Sequence, residues 1–139
     1  MAPANGFGLS FDHFGLATRN AVSAVAFLRG LGYEIGPNVF DPLQNVNLIL
    51  CESKQMPAVE VIFPAEESGP LDVILKERTE ALYHLCYRSA DLAASLTAIK
   101  NAGHRVLQVA PPKPAILFDH RPVSFYLVKT FGLIEIIET

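Results

Sequence analysis

Apolar and polar residues alternate along the start of the chain and then change to a helical spacing. Between Phe11 and Thr18 the alternation is typical of a strand, with Phe14 and Leu16 on the face opposite to His13. Asn20 follows as a helix N-cap. An apolar stripe at helical spacing comes next: Ala21, Val25, Leu28 and Leu31, with Gly32 ending the helix. The pattern predicts a strand followed by a helix.

Three extended segments follow this helix. They cover residues 33–40, 44–51 and 58–63, and turn-forming pairs mark them at Gly36-Pro37, Asp41-Pro42 and Met56-Pro57. The first half of the chain is therefore predicted to have the order βαβββ.

The second half repeats this plan. His13 and His84 lie 71 residues apart, and the same offset carries Gly32 onto Gly103 and the helical stripe onto Leu92, Leu96 and Ile99. Strands are predicted over residues 82–88, 105–109, 123–128 and 133–138, and Asp91 is the expected N-cap of the second helix.

Between these elements the sequence predicts connections. Pro111–Pro114 and Phe118–Pro122 carry turn chemistry and are expected at the surface. Pro64–Glu80 is the predicted linker, with a short helix over Leu71–Arg78.

The predicted fold class is α+β, with two βαβββ modules forming a cupped, barrel-like mixed sheet and helices outside. Half of the 139 residues are hydrophobic, which suits one compact domain over 1–139. We expect module one at 9–64, the linker at 65–80 and module two at 81–139. Each module alone would be marginally stable.

Composition narrows the classes of partner. Acidic residues exceed basic ones by 14 to 11, and the basic residues are scattered, which disfavours a nucleic-acid surface. No apolar run approaches the length of a membrane span, and Met1–Ser10 lacks the pattern of a signal peptide. We therefore expect a cytoplasmic protein with a small-molecule substrate. Cys51 and Cys86 are expected to be reduced and partly buried.

The repeat also duplicates two residue types that bind metals. Val59-Glu60-Val61 matches Ile134-Glu135-Ile136, so each half supplies one histidine and one glutamate at corresponding points. Each of the four lies on a strand among apolar neighbours, facing away from the helix. Two carboxylates buried beside two imidazoles are best explained by one divalent cation bound to His13, Glu60, His84 and Glu135.

These residues resemble the vicinal oxygen chelate superfamily, which contains glyoxalases, bleomycin-resistance proteins and dioxygenases. The resemblance covers nearly the whole chain, from Asp12-His13-Phe14-Gly15 to Leu133–Ile136. Within that superfamily the chain is most similar to the methylmalonyl-CoA epimerases, through Gln44-Asn45-Val46, Ser68–Leu71 and Gly132–Glu135. The resemblance implies the same four ligands and one divalent ion: Co, Ni, Zn, Mn or Fe.

The function implied is a metal-dependent isomerase that removes a proton next to a carbonyl, with an acyl-CoA or another acyl thioester as substrate. Glu135, or alternatively Glu60, would be the base. Arg88 and Gln44 are the candidate substrate-binding residues. The resemblance to this superfamily and the exposed edges of the predicted sheet also favour a homodimer.

Three alternatives stay open. A glyoxalase I-like lyase uses the same ligand types, although Ala17 stands where glyoxalases commonly carry an arginine that helps to hold glutathione. A metal-free binding protein of the same fold would lack a bound ion. An iron dioxygenase uses two histidines and one carboxylate, and the fourth ligand at Glu60 disfavours it.

Overall fold

The computed structural model describes residues 5–139, which form eight strands and three helices. The first module contains β1 (Leu9–Thr18), α1 (Ala21–Gly30), β2 (Glu34–Asp41), β3 (Val46–Glu52) and β4 (Ala58–Pro64), followed by α2 (Leu71–Ile74). The second contains β5 (Glu80–Ser89), α3 (Leu92–Asn101), β6 (Val106–Ala115), β7 (Arg121–Val128) and β8 (Gly132–Glu138). The predicted α+β class with two βαβββ modules is confirmed.

The chain divides into two compact units. The N-terminal unit is His13–Tyr83, and the C-terminal unit combines Met1–Asp12 with His84–Thr139. The boundaries fall inside β1 and inside β5, a few residues beyond the module limits expected from the sequence. A single domain over 1–139 stays a prediction, and residues 1–4 of that range lie outside the described part of the chain.

The strands of the N-terminal unit lie in the order β2-β3-β4-β1. β1 and β4 are parallel, whereas β4 pairs antiparallel with β3 and β3 antiparallel with β2, so the sheet is mixed. Helix α1 begins as predicted, because the Asn20 side chain accepts a hydrogen bond from the Ser23 backbone N–H at 3.0 Å. Val25 and Leu28 of α1 pack in one apolar cluster with Val61 of β4.

The C-terminal unit repeats this arrangement with strands in the order β5-β8-β7-β6. β5 and β8 are parallel and the other pairs antiparallel. Asp91 caps α3 by accepting from the Ala94 N–H at 3.0 Å. Ile99 of α3 packs with Ile134 and Ile136 of β8. Gly103 has a φ of +93°, as Gly32 has +97°, which explains why glycine follows each helix.

One predicted connection is part of a strand. The sequence placed Pro111–Pro114 in a surface loop, but β6 continues through it to Ala115. β6 is the last strand of its sheet and pairs with β7 alone. Prolines are tolerated in such an edge strand, because no strand on its outer side needs their missing N–H groups. Register shifts between Gln108, Ala110 and Lys113 accommodate the run. The predicted Phe118–Pro122 loop is a turn only as far as His120, because β7 already begins at Arg121. Phe118 is buried, whereas Asp119 and His120 are exposed.

The linker helix is also shorter than predicted, ending at Ile74 instead of Arg78. Leu75 caps the C-terminal end of the helix. Its carbonyl accepts from Arg19 Nε at 2.8 Å and from a terminal nitrogen of the same guanidinium at 2.6 Å, so Arg19 is bound to this end of the helix. None of the helices formed by residues 5–139 has both the length and the apolar character that crossing a membrane demands.

Candidate functional site

The N-terminal unit brings His13 and Glu60 together through the parallel pairing of β1 with β4. Gly15 lies opposite Glu60 in the register, so the histidine is two residues before the partner of the glutamate. The distance from His13 Nε2 to Glu60 Oε1 is 3.7 Å. Both side chains are buried, with exposed fractions of 0% and 6%.

The C-terminal unit builds a second pair in the same way. β5 and β8 are parallel, and Cys86 lies opposite Glu135, again two residues after the histidine. His84 Nε2 lies 3.1 Å from Glu135 Oε1, and both side chains are almost completely buried. The His84 ring also makes an edge contact with Phe125, at 5.4 Å between centroids. The two modules therefore repeat a structural pair as well as a sequence pattern.

Strand alternation turns both glutamates away from the helices. On β8, Ile134 and Ile136 pack in the α3 cluster, so Glu135 between them faces the other side of the sheet. On β4, Val59 and Val61 pack in the α1 cluster, and Glu60 faces away in the same manner. The predicted facing of both carboxylates is confirmed within each unit.

The chemistry of this donor set fits a divalent cation. Burying a carboxylate is costly unless an opposite charge compensates it. Imidazole nitrogen and carboxylate oxygen are ligands that zinc, cobalt, nickel, manganese and iron accept. His13, Glu60, His84 and Glu135 are all buried, and each offers one atom suited to a metal. Without a metal, the same residues could form the ion pairs His13–Glu60 and His84–Glu135. Elemental analysis of the purified protein distinguishes the metal-bound site from the two ion pairs.

Arg88, a candidate substrate-binding residue, lies on β5 four residues after His84. Its Nε donates to Asp12 Oδ1 at 2.6 Å, and its guanidinium carbon lies 5.9 Å from the centre of the Phe118 ring. The side chain of Arg88 is 38% exposed and that of Asp12 is 16% exposed. The sequence did not indicate that Asp12 and Phe118 contact Arg88, because both are distant from it along the chain.

Gln44, the other candidate, lies in the turn between β2 and β3. Its backbone N–H donates to Asp41 Oδ1 at 3.2 Å, and the Leu43 N–H donates to the same oxygen at 2.9 Å. Asp41 thus shapes the turn that carries Gln44, whose role with a substrate stays a prediction. The chain's other two histidines, His104 and His120, are exposed. Within residues 5–139, Cys51 and Cys86 form no disulfide, as expected, and both are more completely buried than the sequence suggested.

Comparison with known proteins gives concordant results. A curated relative, the ethylmalonyl-CoA/methylmalonyl-CoA epimerase of Cereibacter sphaeroides, is 30% identical over 123 residues, which cover 87% of this chain and 90% of the relative. Because most of both sequences is aligned, the match concerns the whole two-module plan and not one motif.

Solved structures share the fold. Methylmalonyl-CoA epimerase from Mycobacterium tuberculosis superposes with a TM-score of 0.73 at 19% identity, covering 92% of this chain and 86% of that one. A Streptomyces coelicolor methylmalonyl-CoA epimerase variant in complex with 2-nitronate-propionyl-CoA gives a TM-score of 0.67 at 21% identity, covering 93% and 96%. The family model of the glyoxalase/bleomycin resistance protein/dioxygenase superfamily matches residues 12–125. The chain belongs to this superfamily.

Proposed function

We propose that this protein is a metal-dependent epimerase that moves the proton next to the carbonyl of an acyl thioester. The observation that carries the proposal is that both modules contain a buried His–Glu pair in the same register. In each, the glutamate lies opposite the second residue after the histidine. The similarity to an ethylmalonyl-CoA/methylmalonyl-CoA epimerase supports the reaction class. We infer a related acyl-CoA as the substrate.

In this proposal His13, Glu60, His84 and Glu135 hold one divalent ion. A bound cation supplies positive charge beside a substrate carbonyl oxygen, which makes the neighbouring proton easier to remove. Each of the four side chains is buried. Exclusion of water from a reaction site strengthens the electrostatic interactions inside it.

Glu135 is the proposed base. A carboxylate oxygen of Glu135 takes the proton from the carbon next to the carbonyl. His84, whose Nε2 lies 3.1 Å from Glu135 Oε1, would remain a ligand of the ion. Epimerisation requires a proton to return to the opposite face of the same carbon. Glu60 occupies the corresponding place in the other module and is the candidate for this second role.

Arg88 is the proposed contact for an anionic group of the substrate. Its guanidinium has five N–H donors, and its Nε donates to Asp12. The two terminal nitrogens can receive a carboxylate in a bidentate manner. Asp12 and the Phe118 ring hold the guanidinium in position for that contact.

The experiment is solvent deuterium uptake at the α-carbon of methylmalonyl-CoA, followed by mass spectrometry. The native protein should catalyse uptake, and a chelator should abolish it until a divalent metal is restored. Glu135→Gln should lose at least about a hundredfold in rate, the range typical of a general base. Glu138→Gln, on the same strand, is the matched control and should retain activity.

Two results would contradict the proposal. One is uptake that survives complete removal of metal, and the other is equal rates in Glu135→Gln and Glu138→Gln. The variant Glu60→Gln separates removal of the proton from its return. If this variant permits deuterium uptake but blocks inversion of the α-carbon, Glu60 is the group that returns the proton.

A glyoxalase I-like lyase is the second candidate, because two histidines and two glutamates would serve that reaction too. It requires conversion of the methylglyoxal–glutathione adduct, which is measured by absorbance in the same metal-loaded samples. Binding of an acyl-CoA by metal-free protein, without turnover, would instead favour the binding-protein alternative. The predicted homodimer is tested by sedimentation velocity.

A further inference from the structure

A separate cavity lies in the C-terminal unit, on the α3 side of β5 and β8. Its volume is ≈ 440 Å³, and its apolar wall is formed by Phe7, Leu9, Tyr87, Ile99, Val128 and Ile134. Ile134 precedes Glu135 on β8, so the cavity and the glutamate lie on opposite faces of the strand. This space is large enough for a small ligand.

The N-terminal segment forms a fixed wall of this cavity. Asn5 Oδ1 accepts from the Phe7 N–H at 3.1 Å and from the Leu9 N–H at 3.2 Å, while its Nδ2 donates to the Leu9 carbonyl at 2.5 Å. The Phe7 ring meets the His104 ring edge-on, with 6.0 Å between centroids. Burial raises the pKa of the Tyr87 phenol, as expected for a largely apolar wall.

The mouth of the cavity is basic. His104 and Lys129 both line it, and the Lys129 N–H donates to the Arg105 carbonyl at 3.0 Å, which places Arg105 beside Lys129. Arg105 lines an adjoining groove that shares Val128–Phe131 with the cavity. None of the described residues lining either space is acidic. Phe131, at the same mouth, is 60% exposed.

We propose that this cavity is a binding site for an amphiphilic carboxylate, with its apolar part against Leu9, Ile99 and Ile134 and its carboxylate beside Lys129. Burial of an apolar chain removes hydrocarbon surface from water, and the basic mouth selects an anion over a neutral or cationic head group. Such binding needs neither a metal nor turnover, so it can be tested whether or not the epimerase proposal holds.

The experiment is an NMR titration of ¹⁵N-labelled protein with decanoate, decanol and decyltrimethylammonium. The two ionic probes are kept below their micelle concentrations and decanol below its solubility limit. Decanoate should bind saturably and shift the amides of residues 5–9, 99–106 and 128–134. Decanol should bind less tightly, and the cation least of all. The same series with a chelator present should give the same affinities.

Two variants locate the contacts. Lys129→Gln should weaken decanoate binding by about threefold and leave decanol binding unchanged, as expected for an exposed charge contact. Lys76→Gln, in the N-terminal unit, is the matched control and should change neither. Phe131→Ala should weaken both ligands, because it removes apolar surface from the mouth.

Three outcomes would overturn the proposal. They are the absence of saturable decanoate binding, shifts located outside the named amides, and equal affinity for the anionic and cationic probes. Shifts of the same amides that depend on protein concentration alone, accompanied by a larger sedimentation coefficient, would assign the surface to a second copy of this chain instead.

Discussion

Divalent cations should raise the unfolding temperature of the metal-free protein. A ligand present at a hundredfold its dissociation constant stabilises the folded state by about 2.7 kcal/mol. At about 2.1 cal/mol/K per residue, the unfolding entropy of 139 residues is about 0.29 kcal/mol/K. The expected rise is the ratio of the two, about 9 °C.

Removing one of the four buried metal ligands should largely abolish this rise in unfolding temperature. If Glu135→Gln weakens metal binding about a hundredfold, the same metal concentration stabilises by only about 0.4 kcal/mol, or about 1 °C. The Glu135 side chain is 5% exposed, so the substitution also changes the metal-free protein. The informative quantity is therefore the difference between metal-loaded and metal-free samples of each variant.

Differential scanning calorimetry with Co, Ni, Zn, Mn and Fe, each added to chelated protein, measures these differences. Glu138→Gln and His120→Asn should keep the full rise, since neither belongs to a His–Glu pair. The reasoning is refuted if no ion raises the unfolding temperature. It is refuted equally if Glu135→Gln responds to metal as the native chain does.

The remaining predictions concern stability and ionisation. Ile136→Ala should cost about 2–5 kcal/mol in urea unfolding, because Ile136 is 0% exposed, whereas Val22→Ala, at an 83% exposed position, should change stability by less than about 0.5 kcal/mol. The hydrogen bond from Ser68 lowers the pKa of Asp72. The ionised carboxylate therefore stabilises the fold above its unfolded-state pKa, and this contribution is lost as the pH falls through the folded-state pKa. Ser68→Ala should raise the pKa of Asp72 in an NMR titration. Burial raises the pKa of the Cys51 thiol, so iodoacetamide should modify Cys51 slowly at pH 7 in native protein and rapidly in urea; fast native modification would contradict this.

The order of elements could be predicted from the sequence because local signals are strong here. Asn20 and Asp91 cap the helices where the pattern placed them, and Gly32 and Gly103 adopt the positive φ that ends a helix. The His–Glu pairs within each unit could also be anticipated, because strand alternation and the repeat both constrain them.

Features that depend on distant contacts could not be predicted. The proline run is typical of a loop, and a single sequence does not reveal that β6 is an edge strand that tolerates it. The linker helix ends earlier than predicted, at a point where Arg19, 56 residues away, donates to the Leu75 carbonyl, a contact that the local sequence does not show. Asp12 and Arg88 are separated by 76 residues, and nothing in their local sequence indicates that they pair.

The prolines of β6 restrict how two copies of the chain can associate. Pro111, Pro112 and Pro114 have no N–H, so the outer side of this strand lacks the continuous row of donors that an added strand requires. A second molecule cannot extend the sheet along this stretch, which protects the protein from open-ended strand-by-strand polymerisation there. A homodimer that avoids this stretch must join through side-chain surfaces, through the proline-free part of β6 or through a different edge.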